Sequence, residues 1–298
     1  MALVINTNIM ALNSQRALRR SQLNMMVSLE RLSSGLRINQ AKDDAAGMAI
    51  AERFTSQIRG LEQAVRNSND GISLLQTAEG ALAEVENSLQ RMRELAVQAR
   101  NGTYNASDRN SLNDEFKALR DEVNRISNTA EFNNINLLGT TNSIALQVGW
   151  ENGANNIIKV STFDIATASF GSGGIANLLG GSASFYIGST QSGASAGSVR
   201  NIATSAIDAT LSVMGTAIDK ISSLRADFGA VQNRLESAVR SMENVIENQN
   251  AARSRILDAN FARETASLTR NQILQQASIA ILAQANRLPQ NILSLLIR

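Results

Sequence analysis

Lys42, Asp43 and Asp44 stand side by side in "NQAKDDAAG" (residues 39–47), a cation and two carboxylates in consecutive positions. Paired carboxylates can divide general-acid and general-base work between them. They need a pocket, a phosphate-cradling glycine loop or further ligands to act on a substrate, and the neighbouring sequence offers none of these. The simpler role is local: Asp43 and Asp44 form an N-cap and first-turn pair, stabilised by the dipole of the helix that follows. The chain contains no histidine and no cysteine. That excludes Ser/His/Asp triads, thiol nucleophiles, HExxH zinc sites and disulfides. Carboxylate and lysine mechanisms survive, but no further catalytic groups cluster with them, and no cofactor or metal is expected.

The elements that hold these residues are helical by composition. Among 298 residues there is one proline, and aromatic residues make up 4%. Few breakers and few bulky rings suit long helices with narrow seams. The net charge of +2 argues against general nucleic-acid binding. Residues 1–42 carry six Lys/Arg against Glu30, interleaved with apolar positions as on an amphipathic helix. No stretch approaches the roughly 20 apolar residues of a membrane span, so no membrane insertion is expected. "MALVINTNIMALNSQRALRR" places its basic residues after the apolar ones, unlike a cleavable signal peptide.

From Ile58 to Ala99 the apolar residues step by three and four, with one double three at Ile72, Leu75 and Ala78 that reads as a slip of the seam. The spacing predicts one long helix ending near Asn101 and Gly102, then a second over about 108–128 capped by Ser107 or Asp108. "EFNNINLLGTTN" (131–142) reads as loop, with asparagines in left-handed conformations. Ile144, Leu146 and Val148, then Ile158 and Val160, alternate with polar residues about Asn152-Gly153 and predict a β-hairpin. Residues 169–198 hold eight Gly and eight Ser and predict a loop-rich insertion in which "ASFYIGS" adds a strand. A second long seam, Ile207 to Ile256, slips once at Ile218, Ile221 and Leu224. The predicted fold is mainly α: a long antiparallel coiled-coil rod made from both chain halves, with a β-hairpin and a short loop-rich insertion.

Both ends carry fainter seams: Leu18, Gln22, Met25, Leu29, Leu32 and Leu36 at one, and Leu274, Ile281, Ala285, Leu288, Ile292 and Leu295 at the other. A two-helix pair buries little area against its ordering entropy. The terminal apolar residues are therefore expected to form an assembly surface, loose in the monomer and ordered when copies pack.

Four motifs, "MALVINTNIMALNSQ", "LSSGLRINQAKDDAAGMAIAERF", "QRMRELAVQARNGT" and "LAQANRLPQNILSLL", closely resemble bacterial flagellin, and the resemblance covers about residues 1–165 and 200–298. It implies an N-terminal D0 helix over 1–44, the N-terminal half of D1 over 45–165, a short variable outer segment over 166–199, the C-terminal half of D1 over 200–256 and a C-terminal D0 helix over 257–298. It further implies export in an unfolded state, helical polymerisation into an extracellular flagellar filament, and motility. The implied partners are other copies of the chain, the filament cap, hook-filament junction proteins, a cytoplasmic flagellin chaperone, and host Toll-like and inflammasome receptors. The positions matching the receptor-read surface are Arg91, Leu95 and Glu115, on an exposed face also suited to filament packing. Leu293, Leu295 and Leu296 match the tail used in assembly and sensed by inflammasome receptors. A hook-filament junction protein shares the terminal helical pattern and is the competing reading. The tail closes "SLLIR" where the family commonly has "SLLR", and Met92 stands where a smaller aliphatic residue is common.

Overall fold

The computed structural model of the chain describes residues 8–162, 165 and 196–296, without the side chains of residues 106, 196–206 and 288–296. Among these residues the chain forms five helices, α1 (Ile9–Ser34), α2 (Ala45–Arg100), α3 (Ala106–Thr129), α4 (Ala196–Leu257) and α5 (Phe261–Leu296). Two antiparallel hairpins lie between α3 and α4, pairing β1 (Glu131–Phe132) with β2 (Ile135–Asn136) and β3 (Ser143–Gln147) with β4 (Ile157–Ser161). The chain divides into two compact units: Met1–Ile58 with Ile246–Arg298, and Arg59–Val245. The insertion expected over 166–199 lies outside the described residues as far as 195, and from Ala196 the chain is helical.

In the unit Arg59–Val245, α2 and α4 run antiparallel, as their polar pairs show. Glu86 meets Arg225 at 2.5 Å, Glu79 meets Gln232 at 3.2 Å, and Arg100 meets Asp208 at 3.0 Å. Leu75, Leu82, Val85, Leu89 and Met92 on α2 are fully buried with Met214, Ile221 and Leu235 of α4. The buried positions of α2 include 58, 61, 64, 68, 71, 75, 78, 82, 85, 89 and 92, with Leu74 buried beside Leu75, so the double three falls at Ile58, Leu61 and Ala64 instead of at Ile72, Leu75 and Ala78. Ala64 and Gly71 hold the seam where Val65 and Ile72 had been expected, and those two are half-buried. The cause at Gly71 is close approach: a Cβ there would strike Leu146 of β3, so the hairpin packs directly on the helix backbone. In α4, Thr210 and Ala217 hold the seam and remove the expected slip, leaving Leu211 and Ile218 half-buried.

The β3–β4 register pairs Ile144 with Val160 and Leu146 with Ile158, as the alternation requires. The smaller hairpin occupies a stretch expected to be loop. Asn133 (φ 50°) and Asn134 (φ 61°) take the left-handed conformations of a two-residue turn, and each flanking strand is too short to show a period. Helix α3 opens with a capping box whose N-cap is Asn105 rather than Ser107 or Asp108. The Asp108 N–H donates to Asn105 Oδ1 at 2.8 Å, and the Asn105 N–H donates to Asp108 Oδ2 at 3.1 Å. Asn105→Ala is expected to cost about 1 kcal/mol, read as a lower urea midpoint at unchanged m-value.

Candidate assembly surface

In the unit Met1–Ile58 with Ile246–Arg298, α1 and α5 lie against each other. Their Cα atoms approach within 8 Å along much of the pair. Such closeness requires small side chains at the contact. The seam of α1 runs Ala11, Ser14, Leu18, Ser21, Met25 and Ser28; Ala11 and the three serines are buried, while Leu18 and Met25 are half-buried. Its counterpart on α5 runs Leu268, Asn271, Gln275, Ser278, Leu282 and Ala285. Three polar links pin the pair: Asn8 Nδ2 donates to the Ala285 carbonyl at 2.8 Å, Ser21 Oγ to the Asn271 carbonyl at 2.7 Å, and Arg31 Nη1 to Glu264 Oε1 at 3.2 Å.

This register differs from the one expected from apolar residues alone. Leu18, Met25, Leu32 and Leu36 are half-buried, but Leu29 and Gln22 face solvent, displaced from the seam by Ser28 and Ser21. On α5, Leu274 and Ile281 are likewise exposed, and Ala285 is buried. Small polar residues in the α1 seam allow the helices to close on that side, and several bulky apolar residues are left outside it. Leu12, Leu23, Met26, Ile273, Leu274 and Ile281 are each between 48% and 63% exposed. Among the described residues, scattered exposed apolar side chains are ordinary on a protein surface, but a helix pair with its apolar face turned out is not.

The connections beyond α1 are tied by backbone bonds. Gly35 ends α1 in the left-handed region (φ 71°), its N–H reaching the Arg31 carbonyl at 2.9 Å. The Arg37 N–H then reaches the Leu257 carbonyl at 2.6 Å, and the Ala259 N–H reaches the Gly35 carbonyl at 2.9 Å. Asn260 caps α5 by accepting the Arg263 N–H at 3.1 Å.

Asp43 and Asp44 have structural roles. Asp44 precedes α2 and accepts the Gly47 N–H at 2.8 Å as the N-cap. Asp43 lies in the loop rather than in the first turn, where its Oδ2 accepts the N–H groups of Gln40 at 3.0 Å and Asn39 at 3.1 Å. The hydrogen bonds from Gln40 and Asn39 hold the Asp43 carboxyl below its ordinary pKa. A depressed carboxylate stabilises the folded loop above the unfolded-state pKa, and this is lost as pH falls through the lower folded value. Amide exchange at Asn39 and Gln40 is therefore expected to accelerate on acidification through the carboxylate range, and Asp43→Asn is expected to flatten that dependence. Among the described residues no cluster of three Asp or Glu could hold a metal ion.

Arg91 and Glu115 are brought together: Arg91 Nε and Nη2 reach Glu115 Oε1 at 3.0 and 2.9 Å, and Nη1 reaches Glu94 at 3.0 Å. Leu95 is fully buried in the core, so it does not belong to the exposed face on which it was expected. Its position in the heptad already points inward with Met92 and Ala96. Leu293, Leu295 and Leu296 lie within α5, and their side chains are outside the described residues.

Residues 5–143 match the bacterial flagellin N-terminal helical region, and residues 211–296 match the bacterial flagellin C-terminal helical region. The chain is 43% identical to a flagellin of Halalkalibacterium halodurans, covering 99% of this chain and 100% of the relative. It is 46% identical to a flagellin of Bacillus subtilis over 98% of this chain and 99% of that one. A crystal structure of Bacillus cereus flagellin is similar at 30% identity with a TM-score of 0.44, covering 59% of this chain and 88% of that one.

Proposed function

The chain belongs to the bacterial flagellin family, a structural and non-enzymatic family, and on that premise we propose that it polymerises through the outward apolar face of its α1/α5 pair. It is a structural subunit of the flagellar filament, an extracellular appendage that serves motility. The observation that carries the proposal is the exposure of Leu12, Leu23, Met26, Ile273, Leu274 and Ile281 on that helix pair, while Ser14, Ser21 and Ser28 are buried in its seam.

Heterologous contacts that do not close make an open helical polymer rather than a ring. A subunit whose apolar face is completed only by neighbours gains most of its order on assembly, which suits a chain exported unfolded and held by a cytoplasmic chaperone beforehand. On this reading residues 1–44 and 257–298 form D0, residues 45–165 and 200–256 form D1, and 166–199 form the variable outer segment. By their match to the flagellin tail, Leu293, Leu295 and Leu296 take part in assembly. The cap and hook-filament junction proteins meet the ends of the polymer. Host Toll-like receptors read the face bearing Arg91 and Glu115, with Leu95 supporting it from beneath, and inflammasome receptors read the terminal leucines.

The test is negative-stain microscopy of purified monomer before and after seeding with filament fragments. Long uniform filaments that appear only after seeding are the expected result. Small closed oligomers would overturn it in favour of a junction protein.

A further inference from the structure

A cleft of about 610 Å³ opens between the end of α1 and the start of α5. Five arginines line it: Arg31, Arg37, Arg255, Arg263 and Arg270. Only two carboxylates accompany them, and both are engaged. Glu264 accepts from Arg31, and Asp258 accepts the Ser254 hydroxyl at 2.5 Å. Arg37 donates Nε and Nη2 to the Ile256 carbonyl, and Arg255 donates Nε to the Ala251 carbonyl, so neither of these two arginines meets a carboxylate. The guanidinium groups of Arg263 and Arg270 make no hydrogen bond or ion pair among the described residues. Guanidinium groups gathered in one cleft repel one another unless an anion joins them, and a cation there can give charge-assisted hydrogen bonds to an oxyanion.

The charge of the surrounding unit points the same way. Met1–Ile58 with Ile246–Arg298 holds thirteen Lys/Arg against seven Asp/Glu, whereas Arg59–Val245 holds fifteen against nineteen. We propose that the cleft between α1 and α5 is an oxyanion site in which Arg263 and Arg270 are the principal ligands. The bound group carries at least two charged oxygens. It is supplied either by free inorganic phosphate or by a carboxylate on the acidic unit of a second copy.

The experiment titrates inorganic phosphate into the full-length monomer at low ionic strength, following phosphorus NMR line width, with chloride as the control anion. The parent chain, Arg263→Gln/Arg270→Gln and Arg263→Lys/Arg270→Lys are compared, with helicity checked by circular dichroism. Saturable one-to-one binding, at least about tenfold weaker in the glutamine pair and largely kept in the lysine pair, assigns the site to free phosphate. No saturation by phosphate, together with a seeded-growth concentration raised at least about tenfold by the glutamine pair and restored by the lysine pair, assigns it to a carboxylate of a second copy. Phosphate binding that the glutamine pair leaves unchanged overturns the proposal. So does absence of binding when the glutamine pair grows filaments like the parent or when no chain grows them. The phosphate arm needs no polymer, so a parent chain that binds phosphate but never forms filaments counts against the filament reading alone.

Discussion

Leu23→Glu combined with Ile273→Glu is expected to leave the monomer's melting temperature within about 2 °C of the parent while stopping seeded filament growth. Both side chains are about 60% exposed in the free chain, so folding loses little when they become polar. On assembly the balance reverses. Burying a leucine or isoleucine contributes about 1.5–3 kcal/mol, and an unpaired carboxylate brought into the same contact costs several more. Two such positions shift the assembly equilibrium by at least about three powers of ten, at 1.4 kcal/mol per decade. The measurement is calorimetry of the monomer beside light scattering of seeded growth. Filaments growing at the parent's concentration would show that this face is not the contact.

Leu89→Ala acts on the other unit and by the opposite route. Leu89 is fully buried in the α2 seam among Val85 and Met92, where the long helices leave the cavity little freedom to collapse. The expected loss is about 2–5 kcal/mol, which lowers the melting temperature of Arg59–Val245 by roughly 5–15 °C. Ser21→Ala in the α1 seam serves as the contrast. It removes one hydrogen bond to the Asn271 carbonyl and is expected to cost about 1 kcal/mol. Leu95 belongs with Leu89 in this respect. Because it is buried, loss of receptor response on replacing it must be compared with the accompanying loss of stability before any contact is assigned to it.

Much of the architecture was readable from local signals, because those signals are local in origin. The three-four spacing from Ile58 to Ala99 corresponds to a continuous helix whose inner face is buried. The alternation at Ile144 to Val148 and Ile158 to Val160 corresponds to the paired strands. Asp44 was readable as a cap because an aspartate before an alanine-rich run offers its carboxylate to the first free N–H groups. The cap of α3 was less legible: Asn105, Ser107 and Asp108 are all competent, and only the reciprocal bond between Asn105 and Asp108 selects one.

The sequence by itself determined where the helices run, that the termini carry apolar surface beyond what a lone helix pair can use, and that histidine- and cysteine-based chemistry is excluded. The tertiary structure decided which stripe of each helix faces inward. The apolar spacing puts Leu29, Val65, Ile72, Leu211 and Ile218 in the seams of α1, α2 and α4, whereas the real seams pass through Ser28, Ala64, Gly71, Thr210 and Ala217. The reason is steric: where two backbones approach closely, the contact is held by the residue that leaves room, and hydrophobic periodicity records bulk rather than room. On α1 and α5 this leaves Leu12, Leu23, Ile273, Leu274 and Ile281 outside the seam, on the face through which we propose the chain assembles.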